Sequence, residues 1–171
     1  MPSFVRASIA VLCCSCATAC GQDGRALPTP VRAALDQLTM QCSEVGGTPH
    51  ADDAVHTADL DADGNDDFVL FAGWITCENA WSIYGDREKL VMVFAGDADA
   101  SPTEAFSGSA FDIKIERDAG RAELWLTTLG ESCGRPAAPS FAEETFCERR
   151  LERGPSGLFD YAPLDTVRLI E

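Results

Sequence analysis

Positive charge is what this chain has least of: 13 Lys+Arg stand against 28 Asp+Glu, a formal net charge of -15. A surface of that sign repels phosphate backbones and anionic headgroups, so the composition argues against nucleic acid and acidic membrane surfaces as partners. Histidine is scarce as well. The chain has only His50 and His56, so nothing downstream supplies the base that an elbow-type serine hydrolase needs. Gly130, Glu131, Ser132, Cys133 and Gly134 do match Gly-x-Ser-x-Gly, but Arg135, Pro136 and Pro139 follow where that motif requires a helix. The reverse order, with His56 first and Ser132 last, needs a longer double-barrelled body, and Ser132 reads as part of a turn. His50 and His56 lack the helical spacing that brings two imidazoles onto one transition metal, and read as exposed loop residues. No carboxylate pair is singled out for glycoside hydrolysis. Nor does any internal repeat appear, and no apolar run reaches the roughly 20 residues that span a bilayer.

What is present is enough for one domain with a core. The chain has 171 residues, 46% hydrophobic and 24% charged, too short to divide comfortably and too apolar to stay disordered. Residues 1–19 have the layout of a secretory signal peptide, with Arg6 ahead of an apolar centre and Ala17, Thr18 and Ala19 as a small-residue cleavage pattern. Ala17 to Cys20 also resembles a bacterial lipobox, so Cys20 either follows an ordinary cut or carries lipid as the new N-terminus. Residues 20–27 are then a polar tether and residues 28–171 the folded domain. The expected location is outside the cytoplasm, in the periplasm or at the outer membrane or cell surface. Any membrane contact would run only through lipid on Cys20.

Removing the signal leaves Cys42, Cys77, Cys133 and Cys147 in the body, an even number that in an exported chain reads as two disulfides. Three pairings are open. The Gly- and Pro-bearing segment between Cys133 and Cys147 favours joining those two, which leaves Cys42 for Cys77. Zinc is the competing use. It is disfavoured because the body has no Cys-x-x-Cys and no histidine beside any of the four.

Pro28 to Cys42 carries apolar residues at helical spacing, with Thr29 as the expected cap, Pro30 at the first helical position and Gly46–Gly47 as the stop. Beyond it the period changes to that of strands. Val55 to Ala58, Phe68 to Ile75 and Leu90 to Ala95 read as strands, with a polar turn from Gly96 to Pro102. Phe111, Ile113 and Ile115 pair with Leu124 and Leu126 across the turn Asp118, Ala119, Gly120. Phe146 to Leu151 pairs with Leu158 to Tyr161, and Val167 to Ile170 closes the chain. The expected fold is α+β and mostly antiparallel β: about seven strands in a curved sheet or sandwich, with one N-terminal helix.

Between the first two strands lies Asp59-Leu60-Asp61-Ala62-Asp63-Gly64-Asn65-Asp66-Asp67, five aspartates around one glycine. Oxygens on alternate residues of a turning chain suit calcium, which takes six to eight of them at varied angles. The expected ligands are the side chains of Asp59, Asp61, Asp63 and Asp67 and the carbonyl of Asn65, with Gly64 permitting the turn. An EF-hand needs a bidentate Glu at the twelfth position and a helix beyond. Here that position is Leu70, in an expected strand. The segment instead resembles the integrin-like calcium loop of FG-GAP and VCBS repeats, in which Asp-x-Asp-x-Asp-Gly-x-x-Asp precedes a hydrophobic strand. Those families build propellers from several copies. This chain holds one copy, so their fold and adhesion roles are not carried over. The combination of one such loop with cysteines is similar to that of small exported bacterial proteins of uncharacterised function.

Trp125 lies opposite Leu124 and Leu126 on its strand, as either a second-layer core residue or an exposed aromatic. Trp74, Trp81 and Tyr84 flank Cys77 and read as core packing or a contact surface. The expected function is that of a non-catalytic calcium-binding module with a structural or protein-interaction role, its partner an unidentified protein or envelope component. A small calcium-dependent hydrolase and an inhibitor of an envelope enzyme are the alternatives.

Overall fold

The chain folds as α+β, mostly antiparallel β, in a computed structural model that describes residues 26–85, 87–118 and 121–170. The signal peptide over residues 1–19, Cys20, most of the tether, and Ala119 and Gly120 of the hairpin turn lie outside the described residues.

Helix α1 (Thr29–Glu44) buries Val31, Leu35, Leu38 and Cys42 along one stripe, the spacing that marked it in the sequence. Its cap is Pro28, without a side-chain hydrogen bond, and Thr29 is already helical, so the expected threonine cap is not used. Pro30 falls in the first turn, where its missing N–H loses nothing. At the other end Gly46 takes a left-handed φ of 79°, and the Gly47 N–H donates to the Cys42 carbonyl at 2.9 Å.

Among the described residues eleven strands follow, rather than about seven. They are β1 (Thr48–His50), β2 (Val55–Ala58), β3 (Asp67–Phe71), β4 (Thr76–Glu78), β5 (Lys89–Ala95), β6 (Thr103–Ala110), β7 (Asp112–Asp118), β8 (Arg121–Leu129), β9 (Phe146–Arg153), β10 (Phe159–Tyr161) and β11 (Arg168–Leu169). The strand expected over Phe68 to Ile75 stops at Phe71, and Ala72–Trp74 is a 3-10 turn, because Gly73 has little to hold it in a ladder. β1, β4 and β6 are not among the strands that the sequence pattern marks.

The strands form two facing sheets and a short ladder. One sheet runs β2-β3-β5-β6 and the other β10-β9-β8-β7, with β11 beside β9, while β1 and β4 pair on their own. Phe111 alone connects β6 to β7, and its N–H donates to the Thr127 carbonyl at 2.9 Å, so the chain turns there from one sheet into the other. Side chains of both sheets meet between them: Val69, Phe71, Val91 and Val93 from one, Ile113, Leu124, Leu126, Leu151 and Phe159 from the other. Leu70 points the other way, into a second cluster with Leu35 and Leu38 of α1. β3 is therefore covered on both faces, which explains its unbroken apolar run. The layers are helix, sheet, sheet.

Two pairs of cysteines stand at disulfide distance. Cys42 of α1 and Cys77 of β4 have their Cα atoms 5.7 Å apart, and Cys133 and Cys147 theirs 5.8 Å apart. Gly47 is needed beside the first pair, since a Cβ there would overlap both sulfurs. Trp125 is only 4% exposed although it faces outward, because the Arg168 guanidinium lies 3.5 Å above its ring and Arg150 flanks it. Trp74 packs edge-on against Phe71 at 5.4 Å and the Tyr84 hydroxyl donates to the Leu38 carbonyl at 2.8 Å, whereas Trp81 is 76% exposed.

Candidate metal centre

The acidic segment is the connection of the β2–β3 hairpin, in which Ala58 faces Asp67. A strand leads in and a strand leads out, as the Leu70 position implied. The backbone turns through left-handed conformations at Ala62 (φ 64°) and Gly64 (φ 89°), and only the glycine adopts such a φ without steric cost.

Inside the turn, carboxylates accept from backbone amides. Asp59 accepts the Asp63 N–H at 3.1 Å through Oδ1 and the Gly64 N–H at 3.0 Å through Oδ2. Asp61 Oδ1 accepts the same Asp63 N–H at 3.0 Å, and Asp63 Oδ1 accepts the Asn65 N–H at 2.8 Å. These bonds wind the chain so that carboxylate oxygens of Asp59, Asp61 and Asp67 lie within 4.8 Å of one another. Asp63 is outside that trio and more exposed. The amide of Asn65 is engaged by Asp63. Of the five expected ligands, the fold thus brings three side chains together.

Asp67 anchors the trio. It is 1% exposed, and its two oxygens are spoken for on different sides: Oδ2 accepts the Leu60 N–H at 2.8 Å and Oδ1 the Gly96 N–H at 2.9 Å. One carboxylate therefore ties the start of the loop to the end of β5. Burial pushes its pKa up from 3.8 to about 6; the Gly96 and Leu60 amides oppose that, and the charges of Asp61 and Asp63 add to it. Asp63 moves the opposite way, held below the usual carboxylate range mainly by the Asn65 amide, with help from Arg153.

Gly96 and Arg153 are the residues that sequence reasoning missed. In the sequence Gly96 reads only as the start of a polar turn. It has no room for a side chain, because a Cβ there would overlap the Asp66 carbonyl, so glycine is what lets β5 approach the loop and donate to Asp67. Arg153, the last residue of β9, reaches from the other sheet to Asp61 Oδ2, and its Nη1 lies 3.8 Å from Asp63 Oδ2. Its Nε donates to the Gly157 carbonyl at 3.0 Å, which holds the guanidinium in place. A signal for it was available. Cys147 and Leu151 alternate with polar residues on β9, so Arg149 and Arg153 share the inward face.

The other sequence candidates scatter. His50 stands 3.7 Å from Glu78 on the exposed β1–β4 ladder, and His56 of β2 leans on Trp74 with ring centroids 4.3 Å apart. Ser132 is in the 3-10 turn Gly130–Cys133 beside β9, where its carbonyl accepts from Arg149. It does not adjoin the His56 ring, which lines a cleft of about 510 Å³ with Asp52, Asp53, Asp66 and Arg117.

Chemically, the trio offers only carboxylate oxygens, without nitrogen or sulfur donors, a set suited to a hard cation. The chain as a whole matches no family model, no curated protein and no solved structure.

Proposed function

We propose that this chain is a non-catalytic calcium-binding module of the exported kind, whose ion and disulfides stiffen a β sandwich that contacts another protein or an envelope component. The observation that carries the reading is the convergence of Asp59, Asp61 and Asp67 on one point of the β2–β3 turn. Three carboxylates brought together in a fold repel one another, and a divalent cation relieves that repulsion. Calcium suits the site better than magnesium, because a loop of mixed carboxylates and carbonyls offers varied angles rather than a strict octahedron. Asp63 and the Asn65 carbonyl complete the ligand set, as in the FG-GAP and VCBS loops that the segment resembles.

Two paired cysteine sets fit an oxidising compartment and thus the export reading, with the periplasm or cell surface as the location. Among the described residues no helix is long and apolar enough to cross a membrane. The scattering of Ser132 and the two histidines supports a role without catalysis.

The test is a calcium titration of the disulfide-intact chain followed by melting. The melting temperature should rise with calcium, and Asp61→Ala should abolish the rise. An unchanged rise in that variant would mean that the ion, if bound, is held elsewhere.

A further inference from the structure

The sheet β2-β3-β5-β6 ends at β6, and among the described residues no strand continues it. The open edges of the sandwich differ in how they are guarded. β7 carries Asp112, Lys114, Glu116, Arg117 and Asp118 within seven residues, and charge of that density discourages a further strand. β2 has four residues, and its Thr57 carbonyl already accepts from Arg117 at 2.9 Å. β10 and β11 have three and two residues. β6 has eight, Thr103–Ala110, with Glu104 as its one charge. A register shift leaves Ala105 without a partner on β5, so Phe106–Ala110 is the regular stretch and Glu104 lies beyond it. Along that stretch Ser107 and Ser109 are exposed, whereas Phe106 and Ala110 face the core between the sheets. Gly108 stands in the middle, and the Phe106 ring lies against the place its Cβ would take. Open clefts flank the edge on both faces: Leu158 and Phe159 line one beside Phe106, and Gln37 and Gln41 of α1 line the other beside Ser107.

We infer that β6 is a self-association edge, to which β6 of a second copy adds antiparallel about a twofold axis at Gly108. Strands related in this way set residues opposite each other, on one face, when they are equally far from the axis. Ser107 then meets Ser109 of the second copy, Phe106 meets Ala110, and Gly108 meets its own equivalent. Hydroxyl faces hydroxyl and a large side chain faces a small one, with no like charges opposed. That match is what a second copy offers and an arbitrary strand does not. The charge distribution selects the same place. A net charge of -15 makes two copies repel over most of their surface, and β6 is the long edge whose regular stretch carries no charge. Phe106–Ala110 is a short stretch beside a permanent dimer interface, so the association is weak, and salt strengthens it by screening the repulsion. Pairing joins the two four-stranded sheets into one.

Sedimentation equilibrium of the disulfide-intact chain tests this, in chelator throughout, so that the calcium reading is neither used nor decided. A monomer–dimer equilibrium is expected that tightens about threefold or more as salt rises from about 0.05 to about 0.5 M. The amides of Phe106–Ala110 that face away from β5 should exchange with solvent more slowly as chain concentration rises. Ser107→Glu combined with Ser109→Lys sets opposite charges across both serine pairs and should tighten the dimer severalfold. Lysine at that second position also keeps an attraction to Glu88, whose Oε2 accepts from the Ser109 hydroxyl at 3.0 Å. Ser107→Lys combined with Ser109→Lys opposes like charges and should abolish the dimer, although the net negative charge falls. Both serines are exposed, and an unchanged melting temperature of the dilute chain shows that each variant folds. A chain that stays monomeric up to about 1 mM in high salt would overturn the proposal. So would a dimer that salt weakens, or one that the double-lysine variant leaves intact, since either places the contact on another surface. Growth beyond the dimer would mean a contact that does not close, and would contradict the twofold pairing.

Discussion

Replacing Asp67 by Asn separates what the buried carboxylate does for the fold from what it does for an ion. At neutral pH, ionising a carboxyl whose folded pKa is about 6 rather than 3.8 costs about 3 kcal/mol. Asn removes that cost. Its oxygen, however, can serve only one of the two amides, Leu60 at 2.8 Å or Gly96 at 2.9 Å, and its NH2 then faces the other donor. Leaving a buried donor unsatisfied costs about 1–3 kcal/mol, so in chelator the two effects nearly cancel. Calcium breaks the balance. At a hundredfold excess over Kd an ion adds about 2.7 kcal/mol to the wild type by mass action, and for a domain of this size that raises Tm by about 5–10 °C. On the proposed ligand set the variant gives up one carboxylate and with it the calcium-dependent part. Paired thermal melts in chelator and in calcium check this. Similar Tm in chelator and a calcium shift only in the wild type are expected; a full calcium shift in Asp67→Asn would refute the reasoning.

Four further outcomes follow from the same geometry. Because the folded Asp67 binds its proton more tightly than the unfolded one, its contribution in chelator is fully present below 3.8 and lost as pH rises through about 6. The wild type should therefore gain stability relative to Asp67→Asn on acidification across that window, seen in urea denaturation at a pH series; a parallel pair of curves would contradict it. Arg153→Met removes the cation next to Asp61 and Asp63 and should tighten calcium binding several-fold by calorimetry, while Arg153→Lys should stay near the wild type. Gly96→Ala forces a Cβ into the Asp66 carbonyl and should lower stability by about 1–3 kcal/mol and weaken calcium binding together, measured by denaturation and titration on one preparation. Removing the Cys133–Cys147 link by a double Ser substitution should lower stability by about 3 kcal/mol for a separation of 14 residues, with calcium affinity little changed because the loop lies at the other pole.

The parts of the fold legible in the sequence are those whose cause is local. The stripe Val31, Leu35, Leu38, Cys42 fixes α1, and alternation at Ile113, Leu124 and Leu126 fixes the β7–β8 hairpin. β6 was not legible, because Thr103–Ala110 is mostly small or polar with Gly108 inside, and it is a strand only because β5 supplies a partner along its length. β1 and β4 are three residues each, and their ladder is held where Cys77 meets Cys42, a contact between residues 35 apart. The convergence of Asp59, Asp61 and Asp67 was legible because the three lie within one turn of the chain. Gly96 and Arg153 were not, since they reach the loop from 29 and 92 residues away. Only the register of β5 and the face of β9 bring them in. Trp125 was ambiguous for a similar reason: the charged side chains that cover it come from β9 and β11.

The most direct measurement is isothermal titration of the disulfide-intact chain with calcium, beside Asp59→Ala and Asp61→Ala. The account predicts one saturable site in the wild type at millimolar or lower free calcium, and none in either variant. A wild-type chain that takes up no calcium at millimolar concentration, or variants that bind it as the wild type does, would contradict the assignment of the aspartate loop as a calcium site.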